Sequence, residues 1–276
     1  MNVKILETAI QAGKAILKIY NDRSYDVDLK EDQSPLTTAD LASNRIINEN
    51  LSGSGYPVLS EENKSIPYEK RKDWQEFFLV DPLDGTKEFI KRNGEFTVNI
   101  ALIRDGIPAS GVIYAPVPDI LYWGSEENGS WKLNNASGFD LFHEDLYSHA
   151  QLLPLEKPGP SHNKTRVVAS KSHFSQETED FIQKITASGK ETELVSKGSS
   201  LKLCLVAEGS ADVYPRLGPT MEWDTGAGHA IAKFAGCRVV RYDTGEEMRY
   251  NKEDLRNPWF IVENVHSQPV INYIKS

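Results

Sequence analysis

At residues 81–86 the sequence reads Asp81-Pro82-Leu83-Asp84-Gly85-Thr86, directly after an apolar strand predicted for residues 76–80. Pro82 has a fixed φ angle and Gly85 accepts conformations that other residues avoid, so the chain has to turn here. Two carboxylates and a hydroxyl are thereby presented at one strand end. Oxygen ligands of this kind suit Mg²⁺. The alternative is that the two aspartates only bend and cap the chain, as aspartate often does in turns.

Three other acidic positions are open to two interpretations in the same way. Glu61-Glu62 follows a short strand predicted for residues 57–59. Asp224 lies just before a small-residue segment that opens the last predicted helix, where the helix dipole favours a negative charge. Asp40 lies near the start of an early helix. Taken alone, each position is also explained by a solvated surface or by a helix N-cap.

Hydrophobic spacing predicts that the first half of the chain contains both helices and an antiparallel sheet. The apolar residues of segment 2–20 recur at helical spacing, and the capping residues Thr37 and Thr38 after Pro35 predict a second helix over residues 39–51. From residue 96 to residue 133, short runs rich in Val, Ile, Tyr and Trp alternate with turn signals, which predicts an antiparallel meander. Residues 134–165 are polar and contain three prolines, so we place a boundary between lobes there.

The second half alternates between strands and helices. We therefore expect an α+β lobe over residues 1–150 and an α/β lobe over residues 151–276. The elements predicted in this half are strands near 167–170, 193–196, 213–214, 238–242 and 258–262, and helices near 176–187, 199–208 and 224–235.

Composition excludes several classes of protein. The chain has 276 residues, of which 39% are hydrophobic and 26% charged, and it has no apolar run long enough for a membrane span. A formal net charge of -9 argues against a nucleic acid polymer as partner. The charged residues among positions 1–20 do not fit a secretory signal, so we expect a cytoplasmic protein and leave peripheral attachment to the cytoplasmic face of a membrane open. Cys204 and Cys237 lie in apolar runs and are predicted to be buried free thiols.

Four segments, taken together, resemble one known family. They are Thr38-Ala39-Asp40, Ser60-Glu61-Glu62, the turn at 81–86, and Trp223-Asp224-Thr225-Gly226-Ala227-Gly228. Their order and spacing are similar to those of the lithium-sensitive, magnesium-dependent phosphatases, which include inositol monophosphatase, fructose bisphosphatase and the bisphosphate nucleotidases. The resemblance spans nearly the whole chain. It implies a layered αβαβα fold of the sugar-phosphatase type, with a mainly antiparallel first sheet and a mixed second sheet.

The resemblance also implies roles for individual residues. Two or three Mg²⁺ ions would be held by Glu61, Asp81, Asp84, Asp224 and the backbone carbonyl of Leu83. Asp40 and Thr86 match the catalytic pair that orients the attacking water. The residues implied to contact substrate are Glu61, Leu83, Asp84, Gly85, Thr86, His173, Ser199, Lys202, Arg216 and Asp224.

The second half resembles the bisphosphate nucleotidase subgroup in particular. The segments that carry this resemblance are Ser170-Lys171-Ser172-His173, Gly198 to Lys202, and Ala207 to Arg216. The resemblance implies that the substrate is a small nucleotide bisphosphate, with His173, Ser199, Lys202 and Arg216 holding the phosphate that is kept. A second phosphate group does require fixed donors and cations. A solvated surface position is the alternative for a lone lysine or arginine.

The function expected from this resemblance is Mg²⁺-dependent hydrolysis of the 3'-phosphate of adenosine 3',5'-bisphosphate, linked to sulfur assimilation. Whether the sulfated nucleotide 3'-phosphoadenylyl sulfate is also a substrate stays open, as does the oligomeric state. An inositol or sugar monophosphatase of the same family is the nearest alternative. A noncatalytic nucleotide-binding regulatory module is the alternative of another class, although such a module would not need both Asp40 and Thr86.

Overall fold

A computed structural model describes residues 2–22, 27–29, 35–63, 66–155, 164–169 and 175–265. The helices are α1 Val3–Asp22, α2 Thr38–Leu51, α3 Tyr68–Arg71, α4 Thr86–Ile90, α5 Leu146–His149, α6 Gln176–Ala187, α7 Leu201–Glu208 and α8 Glu222–Phe234, with single 3₁₀ turns at Glu61–Asn63 and Ala136–Gly138. The strands are β1 Val27–Leu29, β2 Pro35–Thr37, β3 Val58–Ser60, β4 Glu76–Asp84, β5 Thr97–Arg104, β6 Ile107–Ala115, β7 Ile120–Ser125, β8 Gly129–Asn134, β9 Gln151–Leu152, β10 Lys164–Val168, β11 Glu191–Val195, β12 Val213–Arg216, β13 Cys237–Arg241 and β14 Phe260–Asn264.

The first large sheet has seven strands in the order β3-β4-β5-β6-β7-β8-β9. Only β3 and β4 are parallel, and every other neighbouring pair is antiparallel. Strands β5 to β8 form the predicted meander. The prediction of a mainly antiparallel first sheet is therefore confirmed.

The second large sheet has five strands in the order β11-β10-β12-β14-β13. Strand β10 is parallel to both of its neighbours, whereas β14 runs antiparallel to β12 and β13. This mixed arrangement was also predicted. A separate two-stranded antiparallel sheet joins β1 to β2.

In the part of the chain that the structure describes, three hydrophobic cores lie between the layers of the fold. The first lies between α1, α2 and one face of the seven-stranded sheet; the second lies between the two sheets and contains α7 and α8; the third lies between the five-stranded sheet and α6. Alternate residues of β4 serve two of these cores, since Phe78 and Val80 face α1 and α2 while Phe77 and Leu79 face α8. The predicted layered αβαβα fold is confirmed.

Helix α8 packs directly on the first sheet, because β6 carries a glycine at the contact. A methyl group at Gly111 would lie 2.5 Å from the carbonyl oxygen of Ala227. The predicted lobe boundary at 150/151 remains a prediction. Strand β9 begins just beyond it and pairs with β8, and α8, from the later half of the chain, covers strands of the earlier half.

Both cysteines are buried free thiols, as predicted. Among the described residues, none of the helices combines the length and the apolar composition that a membrane crossing requires.

Candidate active site

Strand β4 does not end at residue 80 as predicted but extends to Asp84 with a bulge between Asp81 and Asp84, and Gly85 links it to α4. Gly85 has a φ angle of +92° and immediately precedes the first helical residue, Thr86. The backbone N–H of Leu83 donates to Asp81 Oδ1 at 3.1 Å, and the Ser43 hydroxyl donates to the Pro82 carbonyl oxygen at 2.6 Å. Because these contacts come from the turn itself and from α2, the two aspartates are held at the end of β4.

The structure brings Asp81, Asp84 and Asp224 together. One carboxylate oxygen from each lies within 4.8 Å of the others. The first two come from the end of β4, and the third comes from the first turn of α8, which packs on that sheet. Residues about 140 positions apart in the chain thus form one carboxylate cluster.

The charge of the carboxylate cluster suits a cation. Burial, followed by the negative charge of Asp84 and a smaller contribution from Glu61, raises the pKa of Asp224 to about 8. A carboxyl group that resists ionisation beside two others gains a strong partner when a divalent cation arrives. Hard oxygen donors with no thiol or imidazole among them fit Mg²⁺ chemically. Glu61 lies in the 3₁₀ turn after β3 and acts on the same site through its charge.

Asp40 and Thr86, predicted as the catalytic pair, are in contact. The Thr86 hydroxyl donates to Asp40 Oδ1 at 3.2 Å, and the Leu83 carbonyl oxygen lies 3.4 Å from the same hydroxyl. Asp40 is only 1% exposed, and its Oδ2 accepts from the Thr37 hydroxyl at 2.5 Å and from the Thr37 backbone N–H at 2.8 Å. These bonds hold one carboxylate oxygen in place and direct the other towards Thr86.

Asp40 and Asp224 occupy the same position in their helices. Each is the third residue of its helix, and each accepts a hydrogen bond from the N-cap backbone N–H, of Thr37 and Met221 respectively. The alternative that Asp224 is itself an N-cap is therefore wrong, because α8 begins at Glu222, two residues earlier. At position 3 of a helix, one carboxylate oxygen accepts the cap bond and the other points towards the site.

The second half of the chain contributes directly to the environment of Asp84. Its Oδ2 accepts from the Ser199 hydroxyl at 2.6 Å and from the Ser200 backbone N–H at 2.5 Å. Ser199 has a φ angle of +57°, an uncommon conformation for serine that persists only where surrounding contacts require it. The segment before α7 therefore fixes the orientation of a predicted metal ligand.

Sequence reasoning missed two residues that support this network. Thr97 Oγ1 lies 2.8 Å from the hydroxyls of Ser199 and Ser200, and Asn99 Oδ1 accepts from Thr97 and Ser200. On β5 they pair with Asp84 and Asp81 respectively. The signal was present as alternation, because both polar residues occupy one face of a strand whose other face is apolar.

A cleft with a cavity volume of about 220 Å³ adjoins the carboxylate cluster. Asp84, Ser199, Lys202, Arg216 and Asp224 all line it. The Lys202 ammonium donates to the Ser199 carbonyl oxygen at 2.9 Å, and burial lowers its pKa, against the raising effect of Asp84. Nη2 of Arg216 donates to the Pro219 carbonyl oxygen at 2.9 Å, while its buried Nε has no partner among the described residues. Lys202 and Arg216 thus place positive charge in a cleft next to the carboxylate cluster.

His173 lies outside the described residues. Of the other predicted site residues, the turn residues from Asp81 to Thr86 and the partners Asp40, Asp224 and Ser199 are connected through the contacts above. The negative charge of Glu61 acts on Asp224, and Lys202 and Arg216 line the same cleft as Asp84 and Asp224.

The sequence and the structure are similar to those of known proteins. The sequence profile of the inositol monophosphatase family matches residues 2–273. A relative from Salmonella typhimurium, the 3'(2'),5'-bisphosphate nucleotidase CysQ, is 43% identical over 263 residues, covering 94% of this chain and 98% of the relative. The CysQ protein of Haemophilus influenzae is 36% identical over 271 residues, covering 94% and 91%.

The crystal structure of CysQ from Bacteroides thetaiotaomicron, a bacterial member of the inositol monophosphatase family, superposes with a TM-score of 0.83 at 48% identity, covering 93% of this chain and 94% of that one. An inositol monophosphatase from Anabaena superposes with a TM-score of 0.68 at 20% identity, covering 99% and 93%, which shows the shared fold. The match of the profile along the chain, the relatives and the fold all agree: this chain belongs to the inositol monophosphatase family.

Proposed function

We propose that this chain is a phosphoric monoester hydrolase, a 3'(2'),5'-bisphosphate nucleotidase that removes the 3'-phosphate of adenosine 3',5'-bisphosphate to give AMP. The observation that carries the proposal is its similarity, over more than nine-tenths of its length, to relatives named for this activity. The cleft supports it as well, because cationic Lys202 and Arg216 lie beside the carboxylate cluster. A nucleotide with two phosphates requires both kinds of group, one for the phosphate that leaves and one for the phosphate that stays.

Magnesium is the cofactor we assign to the carboxylate cluster. Asp81, Asp84, Asp224, Glu61 and the Leu83 carbonyl would hold two or three ions. Bound Mg²⁺ supplies Lewis-acid polarisation of the phosphoryl group and a water of lowered pKa. The side chains around the cluster hold its carboxylates in fixed directions, which is the structural requirement for this chemistry.

Asp40 and Thr86 would prepare the attacking water. The Thr86 hydroxyl gives its hydrogen to Asp40, so its lone pairs remain available to accept a hydrogen from that water. Asp40 is buried and ionisable, and it would take up the proton through this hydroxyl as a general base. The backbone N–H groups of Gly85 and Thr86, where the chain enters α4, would donate hydrogen bonds to phosphate oxygens. Ser199 would hold Asp84 in its productive orientation.

The cellular setting is part of the same proposal. Removal of adenosine 3',5'-bisphosphate would link the enzyme to sulfur assimilation, and 3'-phosphoadenylyl sulfate, which carries the same 3'-phosphate, is the natural second substrate to test. We place the enzyme in the cytoplasm, because Cys204 and Cys237 are free thiols. Inhibition by lithium is expected from membership of the family.

Phosphate release from several substrates tests the proposal. Purified protein is assayed with adenosine 3',5'-bisphosphate, inositol 1-phosphate and fructose 1,6-bisphosphate, first with Mg²⁺, then with a chelator, and then with Mg²⁺ plus Li⁺. We expect the highest kcat/KM for the nucleotide, with dependence on the metal and inhibition by lithium. A higher kcat/KM for inositol 1-phosphate or fructose 1,6-bisphosphate would favour the alternative of an inositol or sugar phosphatase. Metal-independent binding of the nucleotide without turnover would favour a regulatory module.

A further inference from the structure

An ion pair spans the cleft from one wall to the other. Lys197, from the segment before α7, places its ammonium 3.5 Å from Oε1 of Glu95, from the segment before β5. Both residues line the cleft that contains Asp84 and Ser199. Their side chains are 44% and 32% exposed, so solvent weakens the attraction and the pair can be exchanged at little cost.

The backbone of Glu95 is held close to the catalytic turn. A methyl group at Gly85 would lie 3.1 Å from the Glu95 carbonyl oxygen, and one at Gly198 would lie 2.8 Å from Glu95 Cβ. Glu95 therefore lies between Gly85 of the turn and Gly198, the residue that follows Lys197. Its carboxylate contacts Lys197 and lines the same cleft as Asp84.

The other two cations of the cleft are more firmly fixed. Lys202 is only 8% exposed and donates to a backbone carbonyl, and Arg216 also donates to a backbone carbonyl. Among the described lysines and arginines of the cleft, Lys197 alone has a carboxylate of the opposite wall as its ion-pair partner. It can therefore rotate away from Glu95 without breaking a backbone contact.

We infer that Lys197 is a specificity residue for substrates with a second phosphate, and that Glu95 competes with that phosphate for it. The inference deepens the proposed function and rests on it. Glu88 and Glu95 both line the cleft and repel an incoming dianion. A phosphate that draws Lys197 from Glu95 gains a cation, whereas a nucleotide that lacks the second phosphate leaves the pair intact. The enzyme thus distinguishes the two nucleotides because only the second phosphate can replace Glu95 as the partner of Lys197.

Two substrates that share the same scissile group test this role. Adenosine 3',5'-bisphosphate and adenosine 3'-monophosphate differ only in the second phosphate. In Lys197→Met we expect kcat/KM to fall about three- to fivefold for the bisphosphate, as one partly screened charge contact is lost, and by less than about twofold for the monophosphate. Lys197→Arg should recover most of the loss. Glu95→Gln should lower KM for the bisphosphate by about two- to threefold, because the competitor is weakened.

The matched control is Lys184→Met, which makes the same change on an exposed position of α6 that does not line the cleft. Thermal unfolding of each variant checks that the fold is retained. Equal losses for the two substrates, or no loss for either, would overturn the role of Lys197 while the wild-type preference for the bisphosphate stands. If the wild-type enzyme itself lacks that preference, the proposed function fails, and this inference fails with it.

Discussion

Replacement of Asp84 by asparagine removes one negative charge from the carboxylate cluster and nearly preserves the volume of the side chain. If Asp84 serves a metal, its loss removes part of the Lewis-acid contribution, which is worth several kcal/mol in enzymes of this kind. A loss of about 4 kcal/mol corresponds to about a thousandfold in kcat/KM. We therefore expect at least that reduction with adenosine 3',5'-bisphosphate at saturating Mg²⁺.

The effect of Asp84→Asn on the stability of the metal-free protein should have the opposite sign. Carboxylate oxygens of Asp81 and Asp84 lie within 4.8 Å of each other, and two unit charges at that distance repel by about 3.5 kcal/mol at an effective dielectric constant of about 20. The substitution also turns the hydrogen bonds that Ser199 and Ser200 donate to a carboxylate into bonds to a neutral amide, which costs about 1 kcal/mol each. The net gain of about 1–2 kcal/mol should raise the unfolding temperature by a few °C.

The assay combines phosphate release with thermal unfolding in the presence of a chelator. Asp73→Asn, the same change at an exposed aspartate, is the matched control and should alter neither quantity. Activity near wild type in Asp84→Asn would refute the assignment of the metal site. A fall of several kcal/mol in the free energy of unfolding would instead show that Asp84 is there to support the fold.

Three further perturbations test other parts of the account. Thr86→Val removes the hydroxyl that donates to Asp40, so kcat should fall by about 10²–10³ with a smaller change in KM; steady-state kinetics would refute the role if KM alone changed. Burial lowers the pKa of His229 from 6.5. Below about pH 6.5 the unfolded chain therefore binds more protons than the folded one, and the free energy of unfolding should decrease as the pH decreases. Urea unfolding at pH 7.5 and 5.5 should show a smaller fall in His229→Gln, and an equal fall would contradict this reasoning. Gly111→Ala should destabilise the protein by about 1–3 kcal/mol in urea and lower activity, because α8 is displaced, whereas Gly53→Ala, which meets no atom within 4 Å, should do neither.

The parts of the fold that depend on local patterns could be predicted from the sequence. The meander from β5 to β8 is apparent from alternation and turn residues, and α1 is apparent from helical spacing. The turn at 81–86 was recognisable because Pro82 and Gly85 act on the backbone at their own positions. The identity of the two sheets required the resemblance to the family, since hydrophobic spacing does not determine which strands pair.

The rest of the site depends on contacts between distant residues. Thr97 and Asn99 support Asp84 only because the register of β4 and β5 aligns them, with a bulge between Asp81 and Asp84. The pair between Glu95 and Lys197 joins residues 102 positions apart. Alternation along β5 places Thr97 and Asn99 on one face, but no local signal fixes what that face meets or that Glu95 pairs with Lys197. Both depend on the pairing of the strands and on the packing of the segment before α7 against the turn.

The position of phosphate removal tests the central claim most directly. ³¹P NMR can follow adenosine 3',5'-bisphosphate in the presence of the enzyme and Mg²⁺, because the two ester phosphates and inorganic phosphate give separate resonances. We predict loss of the 3'-phosphate resonance, growth of inorganic phosphate in equal amount, and retention of the 5'-phosphate in AMP. Loss of the 5'-phosphate instead would contradict the account, and so would phosphate release at a rate that does not depend on Mg²⁺.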